Sequence, residues 1–188
     1  MDNNGSAEKQ RGKSIVKRDI HIEKAVEADI DCIERLYEDV CDYLEMHKNY
    51  PGWKKGIYPV RQDAEKGVMK NALYVARVEE KIAGTIILKH DPEEGYKNGS
   101  WLTKDDYRYI YVIYTLAVHP DFQKCGVATE LLMFAEQVAR KEGGVCKYPA
   151  GCCKREYPCG AALSKMRISA DRNRKSGIEV WTSLVSAL

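Results

Sequence analysis

Between Tyr109 and Gly143 a β-branched, aromatic run passes through the short loop Gln123-Lys124-Cys125-Gly126-Val127-Ala128 into an amphipathic helical pattern. That order of strand, glycine loop and helix restricts the fold more than any other feature of the chain. A helix start carries unpaired backbone N–H groups and the positive end of the helix dipole, so it holds an anion without dedicated side chains. Gly126 lets the backbone come close to the anion, and Ala128 keeps the first turn free of bulk. A pyrophosphate suits such a loop.

The elements before the loop follow from period. Met1 to Arg18 is polar and basic and reads as a disordered tail. Asp19 to Val26 alternates as a strand. Glu27 to Leu44 turns to helical period, with Ile30, Ile33, Leu36, Tyr37, Val40, Cys41 and Leu44 on one stripe and acids on much of the other face. Prolines and glycines from Tyr50 to Pro59 mark a loop, and a helix follows over about 61–71. Leu73 to Val78 and Ile82 to His90 read as antiparallel strands joined at Glu79-Glu80-Lys81, and 91–106 as a polar loop. Tyr109 to Val118 is the most apolar strand and belongs at the sheet's centre.

Composition excludes more than it selects. A chain of 188 residues is one domain by length. Its 44% hydrophobic and 31% charged residues are those of a soluble globular protein, and a net charge of +2 makes no case for nucleic acid or an acidic membrane surface. No apolar run approaches a membrane span, and the N-terminus has no apolar signal core, so the cytoplasm is the expected compartment.

The loop fits Q/R-x-x-G-x-G/A, and Tyr114-Thr115-Leu116-Ala117-Val118-His119-Pro120 before it ends in V-x-P. With these elements around it, the chain resembles the GCN5-related N-acetyltransferases over about two-thirds of its length, residues 19–143. The resemblance implies a mixed α/β (α+β) sheet with helices on both faces, incomplete at the C-terminus. It also implies acetyl-CoA as cosubstrate and a small-molecule or peptide amine as acceptor, with no metal. The backbone N–H of Leu116 would polarise the thioester, Ala117 and Val118 would pair with the pantetheine arm, and Gln123, Lys124, Cys125, Gly126, Val127, Ala128 and Thr129 would hold the pyrophosphate. Some members carry a Glu on this strand as base, where this chain has Val112. Tyr114, on the face of Leu116 by period-two counting, is a candidate to approach the acceptor. His47, Trp53 and Tyr58 follow the first helix, where the family shapes its acceptor pocket. His119 reads as a turn residue. The opposing reading is a non-catalytic CoA-binding remnant.

From Val145 to Leu188 the chain changes character. The resemblance calls for a further strand, a helix and closing strands, and no such periods are evident. Cys146, Cys152, Cys153 and Cys159 allow three readings: a metal knuckle, a disulfide-bearing insertion, or translation in the wrong frame. The five-residue gaps are wider than zinc hairpins use, and a reducing cytosol opposes disulfides. A one-nucleotide forward shift from Cys146 permits I-R-L-D-V-V-K-E-N-I-P-A-A-x-L-Y-x-K-C-G-F, similar to the missing strand, helix and strand. That run contains the Tyr the family often uses as general acid. In the frame as written Ser164 and Lys165 stand near its place, and neither earns a role.

Overall fold

Alternation and period place a sheet between two helical layers. The computed structural model describes residues 19–90, 110–142, 145–148 and 178–180. The expected tail, the 91–106 loop and nearly all of 149–188, with Cys152, Cys153, Cys159, Ser164 and Lys165, lie outside the described residues. In chain order the elements are β1 (Ile20–Lys24), α1 (Ile30–Glu45), α2 (Arg61–Met69), β2 (Leu73–Val78), β3 (Lys81–Lys89), β4 (Ile110–Val118), α3 (Val127–Lys141), β5 (Val145–Tyr148) and β6 (Ile178–Val180). The strands lie in that same order across one sheet, antiparallel from β1 to β4 and parallel from β4 to β6. β5 opens the segment in which no regular element was expected, and it pairs with β4 over only Ile110–Val112.

Each sheet face has its own core. Ile33, Leu36 and Tyr37 of α1 and Ala64 of α2 pack on Val75, Ile87, Val112 and Tyr114. On the other face Val127, Leu131, Leu132 and Ala135 of α3 pack on Ala76, Ile86, Tyr111 and Ile113. Local sequence sets the helix starts: Asp29 Oδ2 accepts from Val26 N–H and Asp63 Oδ2 from Val60 N–H, each at 3.0 Å, which satisfies donors the helices leave over. Asp29 also takes Arg77 Nη2 at 2.6 Å, tying α1 to β2. Cys41 is buried in the α1 stripe as a small apolar residue, whereas Cys32 falls off the stripe and is exposed. α3 sits close on β3 because Gly84 has no side chain there. A Cβ at Gly84 would meet Ala117 O at 2.8 Å and Val127 Cγ1 at 2.9 Å.

Candidate active site

Two devices at the end of β4 make the site. The first is a β-bulge. Ile87 pairs with Tyr114 and Thr85 with Ala117, so Thr115 and Leu116 together face Ile86. Thr115 takes φ +43°, a left-handed conformation unusual for a β-branched residue. Main-chain direction follows from bonds on either side. Leu88 N–H donates to Ala72 O on the β2 side, and His119 N–H to Ala83 O on the β4 side. Alternation then turns Thr85 and Ile87 toward β4, Tyr114 and Ala117 toward β3, and the amides of Leu116 and Val118 to the outer edge. β5 pairs with β4 no further than Val112, so among the described residues no strand pairs with the outward amides of Leu116 and Val118.

The second device is the helix start. The chain leaves β4 through a turn at Pro120–Phe122 and reaches α3 with Lys124 at φ +61° and Gly126, the N-cap, at φ +90°. No side chain caps the helix. Among the described residues the N–H groups of Lys124, Gly126, Val127, Ala128 and Thr129 meet no backbone acceptor. Gln123, Lys124 and Gly126 are exposed, while the Val127 side chain turns into the core and anchors the turn. Unpaired donors at an exposed helix start attract an anion.

The bulge revises two expectations drawn from counting. Tyr114 packs in the α1–α2 core and Leu116 against the α3 core, so they lie on opposite faces. The extra residue at Thr115 shifts the side-chain parity by one. Tyr114 is buried with Lys89 Nζ 4.9 Å from its ring centroid. Ala117 has its main chain committed to β3, which leaves Leu116 and Val118, and not Ala117, to offer amides at the open edge. Val112, where some family members carry a carboxylate, is buried in the α1–α2 core.

Of the three acceptor-side candidates the fold brings two together. Trp53 and Tyr58 meet edge to face at 5.9 Å. Asn49 braces Trp53 from both sides, its Oδ1 accepting from Trp53 N–H at 3.1 Å and its Nδ2 donating to Trp53 O at 2.6 Å. Tyr58 reaches the bulge, its hydroxyl 2.7 Å from Thr115 Oγ1. His47 does not join them: exposed at the end of α1, it stacks on Tyr43 with Nδ1 2.7 Å from Tyr43 O. Thr115 is the residue that sequence reasoning missed, since a threonine inside a β-branched run gives no sign of a positive φ. His119 is tethered at both ring nitrogens: Nδ1 accepts from Asp121 N–H, which leaves Nε2 as the donor to Asp39 Oδ2, each at 3.2 Å. That double tether makes it a clasp between turn and α1.

Burial governs the shifted acids nearby. It pushes the Tyr37 phenol well above its ordinary range, opposed by the Thr85 hydroxyl and assisted by Tyr58 and Asp63. It also pushes the Cys41 thiol up, assisted by Asp42 and Glu38 and opposed by Lys55. Among the described residues no group of three or more His, Cys, Asp or Glu is placed to hold a metal, and no helix is long and apolar enough to cross a membrane.

The Acetyltransferase (GNAT) family model matches residues 33–151. No curated protein matches the chain. Among solved structures, a Staphylococcus aureus Mu50 protein assigned as an acetyltransferase is 25% identical with a TM-score of 0.53, over 65% of this chain and 74% of that one. A GNAT-family acetyltransferase from Streptococcus agalactiae 2603 is 24% identical with a TM-score of 0.52, over 61% and 66%. PaiA N-acetyltransferase from Thermoplasma acidophilum, in complex with coenzyme A, is 14% identical with a TM-score of 0.55, over 79% and 87%. The last two carry the fold alone. With a match spanning β4, the glycine loop and α3, the chain belongs to the GNAT acetyltransferase family.

Proposed function

We propose that the chain moves an acetyl group from acetyl-CoA to an amine of a small molecule or peptide by direct attack, in the cytoplasm. The reading rests on one observation: at an exposed helix start with no side-chain cap, N–H groups without a backbone acceptor among the described residues follow a strand end whose Leu116 and Val118 amides no described strand pairs. An anionic pyrophosphate followed by an extended, amide-bearing arm fits that pair of features. The N–H groups from Lys124 to Thr129 would hold the pyrophosphate, with Gln123 at the mouth of the loop. The Val118 amide would pair with the arm as a neighbouring strand does. The Leu116 N–H, fixed by the strand, would donate to the thioester oxygen, where a preorganised dipole is most effective. Acetyl-CoA supplies the activated acyl group, so the protein need only bind, orient and polarise. With valine at position 112, the amine's proton would leave through water. Trp53 and Tyr58 would line the acceptor side.

A thermal shift with acetyl-CoA, followed by thiol release across a panel of amines, tests this. At a hundredfold excess over Kd, stabilisation of about 2.7 kcal/mol is expected, roughly 5–10 °C for a chain of this size. Gly126→Ala, which places a Cβ at φ +90° beside the proposed anion, should weaken that shift. No shift with acetyl-CoA would end the reading. A shift without thiol release from any amine would favour a CoA-binding remnant.

A further inference from the structure

The bulge residue is held in place from outside the sheet. A β-branched residue at φ +43° costs about 1–3 kcal/mol and persists only where its surroundings over-determine it. Here the surroundings include the Tyr58 hydroxyl, 2.7 Å from Thr115 Oγ1 and 57 residues away in sequence. Tyr58 belongs to a loop built as a unit: Lys54 and Tyr58 pair as an isolated bridge, Trp53 leans edge-on against Tyr58, and Asn49 braces Trp53. Thr115 in turn is the residue just before Leu116, so its main chain sets the direction of the Leu116 amide.

We propose that Tyr58 and Thr115 are a positioning pair, which transmits the seating of the 46–60 loop to the Leu116 N–H and so aligns the acceptor side with the donor that polarises the acyl carbonyl. The catalytic half of this rests on the acetyl-transfer reading above; the mechanical half does not. Neither side chain needs to touch the reacting atoms. The device lets an ill-seated acceptor loop switch the polarising amide out of line, because misplacement of about 1 Å at such a donor costs up to about a hundredfold in rate.

The test compares the full-length parent with Tyr58→Phe, Thr115→Ser, Thr115→Gly and the Tyr58→Phe/Thr115→Gly double variant. Tyr58→Phe and Thr115→Gly should each lower kcat roughly tenfold, with KM for acetyl-CoA and acceptor within about twofold. Thr115→Ser, which keeps the hydroxyl, should restore kcat. The double variant should be no slower than Thr115→Gly, as one broken link cannot be broken twice. Glycine accepts the positive φ, so Thr115→Gly should fold with a Tm close to the parent's, separating positioning from stability. Losses that multiply in the double variant, or a Thr115→Ser as slow as Thr115→Gly, would overturn the pair. A rise in acceptor KM confined to Tyr58→Phe, with kcat unchanged, would make the Tyr58 hydroxyl a direct acceptor contact and also overturn it. Amide hydrogen exchange reads the mechanical half without turnover: Tyr58→Phe should speed exchange in peptides from both 46–60 and 113–118. Faster exchange in the loop alone defeats the pair. A parent that releases no thiol defeats acetyl transfer and leaves exchange to decide the pair.

Discussion

Tyr37 carries a phenol into the core under α1, and Thr85 carries a hydroxyl to the same face from β3. Among the described residues neither meets a partner at hydrogen-bonding geometry, although the two hydroxyls lie near enough for Thr85 to favour the ionised phenol. A buried, unpaired hydroxyl costs about 1–3 kcal/mol, so Tyr37→Phe should leave stability at neutral pH unchanged or raise it by up to about 1 kcal/mol. The pH dependence has a definite sign. The fold holds this phenol neutral beyond its ordinary range, whereas the unfolded chain ionises it near the ordinary value of 10.0. The unfolded state therefore releases its proton first, and stability falls as pH rises past about 10. Urea unfolding of parent and Tyr37→Phe, at neutral pH and above pH 10, checks both halves. A Tyr37→Phe loss above 1 kcal/mol would mean that the hydroxyl is engaged. At this scale the sequence was only half legible. Burial of Tyr37 follows from its place in the α1 stripe, but the left-handed turn at Thr115 has no compositional sign. For that reason counting by twos placed Tyr114 beside Leu116 when the bulge sends them to opposite faces.

Elements were more legible than residues because period alone specifies them. Ile33, Leu36, Tyr37 and Val40 on one stripe fix which side of α1 is buried. Val127, Leu131, Leu132, Ala135 and Ala139 do the same for α3. How closely an element docks is another matter, set by what faces it. Gly84 on β3 lets the start of α3 and the end of β4 come together, and those parts carry the proposed pyrophosphate and thioester contacts. Gly84→Ala forces a Cβ within 2.8 Å of Ala117 O and 2.9 Å of Val127 Cγ1. Backbone and a helix anchor must then move, which costs about 1–3 kcal/mol. Denaturant melts should show that loss, and the thermal shift with acetyl-CoA should shrink alongside it. A fully stable Gly84→Ala would show that α3 can rise from the sheet freely. Gly67 has a similar relation to Leu73, whose Cβ would lie 2.9 Å from an added methyl.

At the scale of the molecule, among the described residues β1 to β4 and three helices enclose two cores, and the two strands beyond are four and three residues long. A one-nucleotide slip near codon 144 remains our proposal for the change of sequence character from Val145 onward. The coding DNA read one frame forward should specify a run compatible with I-R-L-D-V-V-K-E-N-I-P-A-A-x-L-Y-x-K-C-G-F, and sequencing decides it. A gene without that run ends the idea. Restoring the frame should raise Tm by several degrees, since added strands would cover apolar surface. The family was legible because it is written in contiguous residues around one loop. The proposed acceptor side was not, because Trp53, Tyr58 and Thr115 meet only through tertiary packing.

Among the described residues no strand pairs with the outward amides of Leu116 and Val118 at the end of β4. An amide row of this kind does not discriminate: any extended polypeptide can zip onto it, including another molecule of the same protein. The proposed coenzyme A contact and self-adhesion would therefore compete for one strip of backbone. Concentrated preparations should turn turbid when stripped of nucleotide and stay clear when it is restored, which light scattering would register within a single titration.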